Sequence, residues 1–390
     1  MKAMQGLVGV LAASLLLAEV AFARQASDLR TMDRSNDPSL TNLDVSGLTN
    51  LETVCCTNDP SLTNVNVSGC SNLRQLDCSL NLLLTNLNVS GCTNLLRLDC
   101  LADPSLTSLD VSGLTHLVRL YCRHNKLANL SVEGLTNLSW LFCDANRLTD
   151  LSVAGLANLS YLCCGYNPLT NLDVSGLTSL RDLSCSHSRL TSLNVAGCAN
   201  LSLLSCSYNK MAGLNVTGFT KLGELDCRIN RLTNLDVSGC ASLSSLDCSS
   251  NQLAILDVST CPNLTSLNCS TNLLTNLSSF VANACSGGLG LNDTVYLQDN
   301  PLSEFARTNQ IPSLQSRGVT VYGPSPTWAP PRRPCRPAIP RRCPSPGRAG
   351  SCPGRTAQAV SSSGCDAVSS PLHVNEPPAA ASQACGRTVF

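Results

Sequence analysis

Leu73-Arg74-Gln75-Leu76-Asp77-Cys78-Ser79-Leu80-Asn81 decides how the rest of the chain is read. Extended downstream, this stretch becomes the unit L-x-x-L-x-C-x-x-N-x-L-T-x-L-D-V-S-G-x-x-N, which recurs eleven times. One column of the unit holds Leu43, Val65, Leu87, Leu109, Leu130, Leu151, Leu172, Leu193, Leu214, Leu235, Leu256 and Leu277, spaced 22 and then 21 residues apart. Such a period marks an array that grows by adding turns, so 390 residues here do not imply two or three separately cored domains.

Alternation in Leu-x-Cys sends two side chains to one face and the residue between them to the other, as a strand does. Stacking identical strands ~4.8 Å apart makes a parallel sheet in which each Leu rests on the Leu of the next rung. The second half, Leu-Asp-Val-Ser, imitates the first, so a second short strand or extended ladder is expected on the opposite wall. About six apolar groups per rung point inward, the larger worth ~1.5–3 kcal/mol each, enough for a core without aromatics.

The unit resembles the leucine-rich-repeat family, with Cys in place of the third Leu of the L-x-x-L-x-L-x-x-N-x-L core. Within that family it looks like the bacterial surface, internalin-like type, although internalins more often carry Pro and Leu where this chain has Ser-Gly. The resemblance implies a repeat solenoid with a parallel β-sheet on its concave face and short extended or second-strand segments and loops on the opposite wall. It also implies extracellular recognition of a protein or glycan, in adhesion.

The expected organisation is a signal peptide at 1–23, an N-terminal cap at 24–42, repeats at 43–277, a C-terminal cap at 278–323 and a disordered tail at 324–390. Lys2, the uncharged run Leu7 to Ala18 and Ala21-Phe22-Ala23 have a signal-peptide layout, with cleavage expected after Ala23 and a secreted or cell-surface destination. No later run is long enough to span a bilayer. Leu29, Met32 and Arg34 fit a first strand with Arg in the Cys slot. After an insertion around Cys285 to Leu291, Val295-Tyr296-Leu297 and Asn300-Pro301-Leu302 restore the pattern, and Ile311 to Tyr322 reads as a closing helix and strand. From Pro324 the text turns to Pro, Arg, Ala and Ser and cannot bury enough surface to fold.

The 26 basic and 26 acidic residues are unevenly placed: the tail has eight Arg against Asp366 and Glu376, leaving the body about −6. That excess of acid excludes nucleic acid as the main partner, since phosphate binding needs clustered Lys and Arg.

The Asn column (Asn81, Asn125, Asn146, Asn167, Asn209, Asn230, Asn251, Asn272) falls where the chain leaves the strand. An inward amide there satisfies backbone groups left open by the turn. Asp59, Asp103 and Ser188 take the same slot, keep an acceptor and lose the amide donors, so their turns are expected to be weaker.

Of 24 Cys, eleven form a ladder: Cys56, Cys78, Cys100, Cys122, Cys143, Cys164, Cys185, Cys206, Cys227, Cys248 and Cys269. Parallel Cβ vectors in register suit disulfide geometry poorly, so these are expected to be buried reduced thiols. A second column, Cys70, Cys92, Cys198, Cys240 and Cys261, is expected to pack likewise. Neither has the Cys-x-x-Cys spacing of a metal site. Cys55 and Cys163 point outward and are candidate free thiols.

Binding is expected on the outward residues of the main strand. Arg97, Arg119, Tyr121, Trp140, Phe142 and Tyr161, with His124, Tyr166, His187 and Tyr208 just past the strands, gather the chain's few aromatics on its middle rungs, as in a hot spot with a charged rim. The pairs Asp77/Asp99 and Asp226/Asp247 occupy adjacent rungs without a companion His. With no nucleophile, zinc or phosphate-loop motif, an enzyme is not expected, nor a metal or other cofactor. Asn66, Asn88, Asn129, Asn215 and Asn263 sit in Asn-x-Ser/Thr triplets that the repeat itself generates. A spacer without a ligand, or an inhibitor that wraps a target enzyme, are the other readings of such an array.

Overall fold

The computed structural model describes residues 29–323; the expected signal peptide and the tail lie outside the described residues. The first Leu-x-Cys of every rung contributes a three-residue strand to one parallel sheet of fourteen strands, running from Thr31–Asp33 to Thr320–Tyr322. Register is strict: Trp140 lies between Arg119 and Tyr161, and Phe142 between Tyr121 and Cys163. In the middle rungs the central Leu of each strand is buried and its two neighbours face the other way, toward the concave surface. Each rung ends on the next as N–H donates to C=O, for example Cys122 N to Phe142 O at 2.8 Å.

The opposite wall carries strands only in places. Asn42–Asp44, Asn64–Asn66 and Asn86–Asn88 form one ladder, and Asn171–Asp173 pairs with Ser192–Asn194. The Asp or Asn of Leu-Asp-Val-Ser has a job the repeat alone does not reveal. Its side chain accepts from the N–H two residues on, as Asp110 does from Ser112 at 2.9 Å and Asp173 from Ser175 at 2.8 Å. These Asx turns hold both carboxyls below the usual carboxylate range. The next corner needs glycine: Gly239 has φ +76°, and a Cβ there would come 2.9 Å from the Gly218 Cα.

Between the walls lies one apolar core of Leu, Val and Cys. All eleven ladder cysteines are buried and free, as are the five of the second column. The latter also find acceptors: Cys70 and Cys92 donate S–H to Val45 O and Val67 O at 3.1 Å. Burial pushes the thiols up, Cys185 to about 12 and Cys92 and Cys261 to about 11. Ladder thiols are therefore expected to resist alkylation in the native protein at pH 8 and to react once it is denatured without reductant. Silence after denaturation would mean that they are paired.

Cys55 departs from the expectation of a free thiol. It is buried and disulfide-bonded, so an outward strand position does not leave this sulfur a free thiol. Cys163, at the same position, is free and half-buried.

The Asn ladder works as expected. Asn167 Nδ2 donates to Cys143 O and Cys164 O, both at 3.0 Å, while its Oδ1 accepts from Leu148 N at 2.9 Å. Asp59 and Asp103 accept through Oδ1, from Asp37 N and Asn81 N at 2.7 Å, but Oδ2 of each is buried without a partner. Ser188 corrects the expectation of a retained acceptor, since its Oγ also lacks a partner; one methylene is too short to reach what an amide reaches.

At the ends, Leu29 and Met32 pack on the core and Arg34 N bonds Cys55 O at 2.8 Å. The far end replaces the back wall with a helix, Ser278–Cys285, which starts before the expected insertion and buries Phe280. Its Asn283 Nδ2 reaches Val258 O and Cys261 O at 2.8 Å, and the expected closing helix and strand come at Ile311–Gln315 and Thr320–Tyr322.

Candidate functional site

Ten residues were expected on one face, and the structure divides them into two neighbouring sets. Arg97, Arg119, Tyr121, Trp140, Phe142 and Tyr161 stand on four consecutive strands of the concave sheet. His124, Tyr166, His187 and Tyr208 occupy the turn that leaves the strand, each with φ between 53° and 59°. That left-handed backbone swings their side chains to the edge of the sheet, which the sequence pattern does not disclose.

Strand spacing dictates the first set, since side chains one rung apart must stack or tilt past each other. Trp140 and Tyr161 stack with ring centroids 3.8 Å apart, and Tyr121 meets Phe142 edge-on at 5.1 Å. Arg119 lies over Trp140 at 5.7 Å and Arg97 over Tyr121 at 5.1 Å. Trp140, Tyr161 and Tyr121 are half-buried, a wide aromatic surface already held in place before any partner arrives. Phe142 is only 2% exposed, so it supports this surface and is not a contact residue. Tyr121, Trp140 and the Arg123 guanidinium, 5.9 Å from its ring, cover it.

Both acidic pairs have counter-ions. Asp77 and Asp99 are in register, and Arg97 Nε donates to Asp99 Oδ2 at 2.6 Å. Burial, then the Asp77 charge, pushes the Asp99 carboxyl up to about 7 despite that bond. Arg228 lies 3.6 Å from Asp226 and 3.7 Å from Asp247, bridging the second pair. Among the described residues no three His, Cys, Asp or Glu are placed to hold a metal ion, and no helix is long and apolar enough to cross a membrane.

The edge set forms its own column. Tyr166, His187 and Tyr208 stack at 4.4 Å and 4.0 Å with planes within 14°, and Arg228 lies 5.9 Å over the Tyr208 ring. Burial, then the Arg228 charge, lowers His187 below its usual value. His124 is exposed one rung before the gap at Ala145.

No protein-family model and no curated protein matches the chain. Among solved structures it is similar to the functional domain of InlJ from Listeria monocytogenes, a domain that includes a cysteine ladder. Identity is 34% and TM-score 0.54, over 65% of this chain and 54% of that one, so the chain spans about half the length of that domain. The fold is shared with the Listeria monocytogenes internalin InlF, at 22% identity and TM-score 0.52 over 74% of this chain and 82% of that one. It is shared too with a plant peptide hormone receptor solved in complex with RGF2, at 18% identity and TM-score 0.51 over 77% and 60%. Repeat length, parallel sheet, inward Asn and buried Cys column agree with these likenesses: the chain has a leucine-rich-repeat fold similar to that of the internalins, with cysteine at the third core position.

Proposed function

We propose that this is an exported binding protein that captures a protein ligand on its concave sheet, at the aromatic and Arg surface of the middle rungs. The observation that carries the reading is the Trp140–Tyr161 stack, half-exposed at the centre of a rigid sheet and flanked by Arg119 and Arg97. Trp, Tyr and Arg dominate the energetics of protein interfaces because each buries a large area for little lost side-chain freedom. Adhesion is the role this reading favours, and the N-terminal apolar run supports export.

The test is capture by full-length protein of candidate ligands from cell-surface and extracellular fractions, wild type against Trp140→Ala/Tyr161→Ala. The pair should lose ~30-fold or more in affinity, the scale of a hot spot of ~2 kcal/mol, with an unchanged melting curve. Ligands that bind both proteins equally would remove this surface as the site. Glycans retained in place of proteins would assign the surface to sugar stacking, and the absence of any ligand would favour a spacer.

A further inference from the structure

The residue after the inward Asn or Ser forms a column of its own on the edge of the sheet. It reads Lys126, Arg147, Pro168, Arg189, Lys210 and Arg231, five cations in six consecutive rungs with no acid among them. Backbone bonds fix the register: Lys126 N to Leu106 O, Arg147 N to Leu127 O, Arg189 N to Leu169 O, Lys210 N to Leu190 O and Arg231 N to Met211 O, all at 2.8–2.9 Å. All five side chains are exposed, and none makes an ion pair among the described residues. At ~4.8 Å per rung the row is ~24 Å long and one charge wide. Holding like charges in file raises the potential along the row, and nothing within the solenoid uses it.

The geometry points to this edge as a binding site for a linear acidic polysaccharide, a chain bearing sulfate or carboxylate groups at regular intervals. A single file matches one extended polyanion lying along the solenoid axis, with Arg and Lys taking successive anionic groups. Two residues upstream in each rung, Tyr166, His187 and Tyr208 run parallel to the row and present ring edges, phenol hydroxyls and imidazole nitrogens to sugar hydroxyls. His187 carries a tyrosine ring on each face, and Tyr166 and Tyr208 each turn one face to it. That disfavours single-stranded nucleic acid, whose bases need open ring faces to stack on. The site is separate from the concave aromatic surface and does not depend on it.

The probe is a heparin oligosaccharide, titrated against the full chain over a range of salt concentrations. Binding should weaken as salt rises, and Arg147→Gln/Arg189→Gln/Lys210→Gln should reduce affinity about tenfold or more and flatten the salt dependence. Gln252→Arg, which adds a cation in the next rung of the same column, should tighten binding, and this gain does not depend on the triple variant folding. Trp140→Ala/Tyr161→Ala should bind heparin as wild type does, so failure here and failure of the proposed protein site are distinguishable. The eight Arg beyond Gly323 are present in every variant, so the differences report the edge alone. Wild-type heparin affinity in the triple variant, no gain from Gln252→Arg, or tighter binding to single-stranded DNA of equal charge would each overturn the assignment.

Discussion

Replacing Asn167 with Ala is expected to lower the stability of the solenoid by about 3–5 kcal/mol, since each buried polar group left without a partner costs ~1–3 kcal/mol. The amide bonds Cys143 O, Cys164 O and Gly165 O and accepts from Leu148 N, and the residue is buried. Truncation strands the buried Leu148 N–H and the Cys164 carbonyl, whereas Cys143 O keeps the Asn146 amide at 3.1 Å and Gly165 O keeps the Ala145 N–H at 3.0 Å. Ser188, one rung on, already has this defect, so Ser188→Asn should shift stability in the opposite direction. Urea titrations followed by circular dichroism measure both. Equal midpoints for wild type and Asn167→Ala would show that the Asn column does not hold the rungs together.

Asp103→Asn is expected to stabilise the protein at pH 8 and to matter much less at pH 5. Asp103 is fully buried, its Oδ1 accepts from Asn81 N at 2.7 Å, and its Oδ2 has no partner. In the Asn rungs the matching atom is an NH2 that donates to the Cys carbonyls, as Asn125 Nδ2 does to Cys100 O and Cys122 O. Only a protonated carboxyl can imitate that donor. Burial raises the Asp103 carboxyl from 3.8 to about 8. Proton counting sets the sign: between those values the native state keeps a proton that the unfolded chain releases, so stability falls as pH rises, by up to ~1.4 kcal/mol per pH unit. The amide removes this slope. Thermal melts of both proteins at pH 5 and pH 8 should show their gap widening with pH, and a constant gap would contradict a buried neutral acid.

The sequence carries the column structure because a solenoid writes each inward position once per rung. Leu, Cys and Asn at fixed offsets therefore give the sheet, the core thiols and the turn amides directly. What it hides is backbone conformation and contact between rungs. His124, Tyr166, His187 and Tyr208 look continuous with the strand residues, but their positive φ moves them to the edge. Phe142 occupies an outward slot and is nonetheless covered, because neighbours on other rungs are large enough to close over it. The cation column from Lys126 to Arg231 is in plain view in the text, but its significance depends on knowing that these side chains are exposed and make no ion pair among the described residues. The helix Ser278–Cys285 escapes because it has no counterpart in the repeat, and Cys55 because pairing is not periodic.

Hydroxyl-radical footprinting of the full chain, alone and bound to a protein ligand recovered by capture, tests the central claim most directly. Trp140, Tyr161 and Tyr121 should lose reactivity on binding, while exposed back-wall residues such as Ile255 keep theirs. Protection of the back wall with Trp140 and Tyr161 unchanged would contradict recognition by the concave sheet.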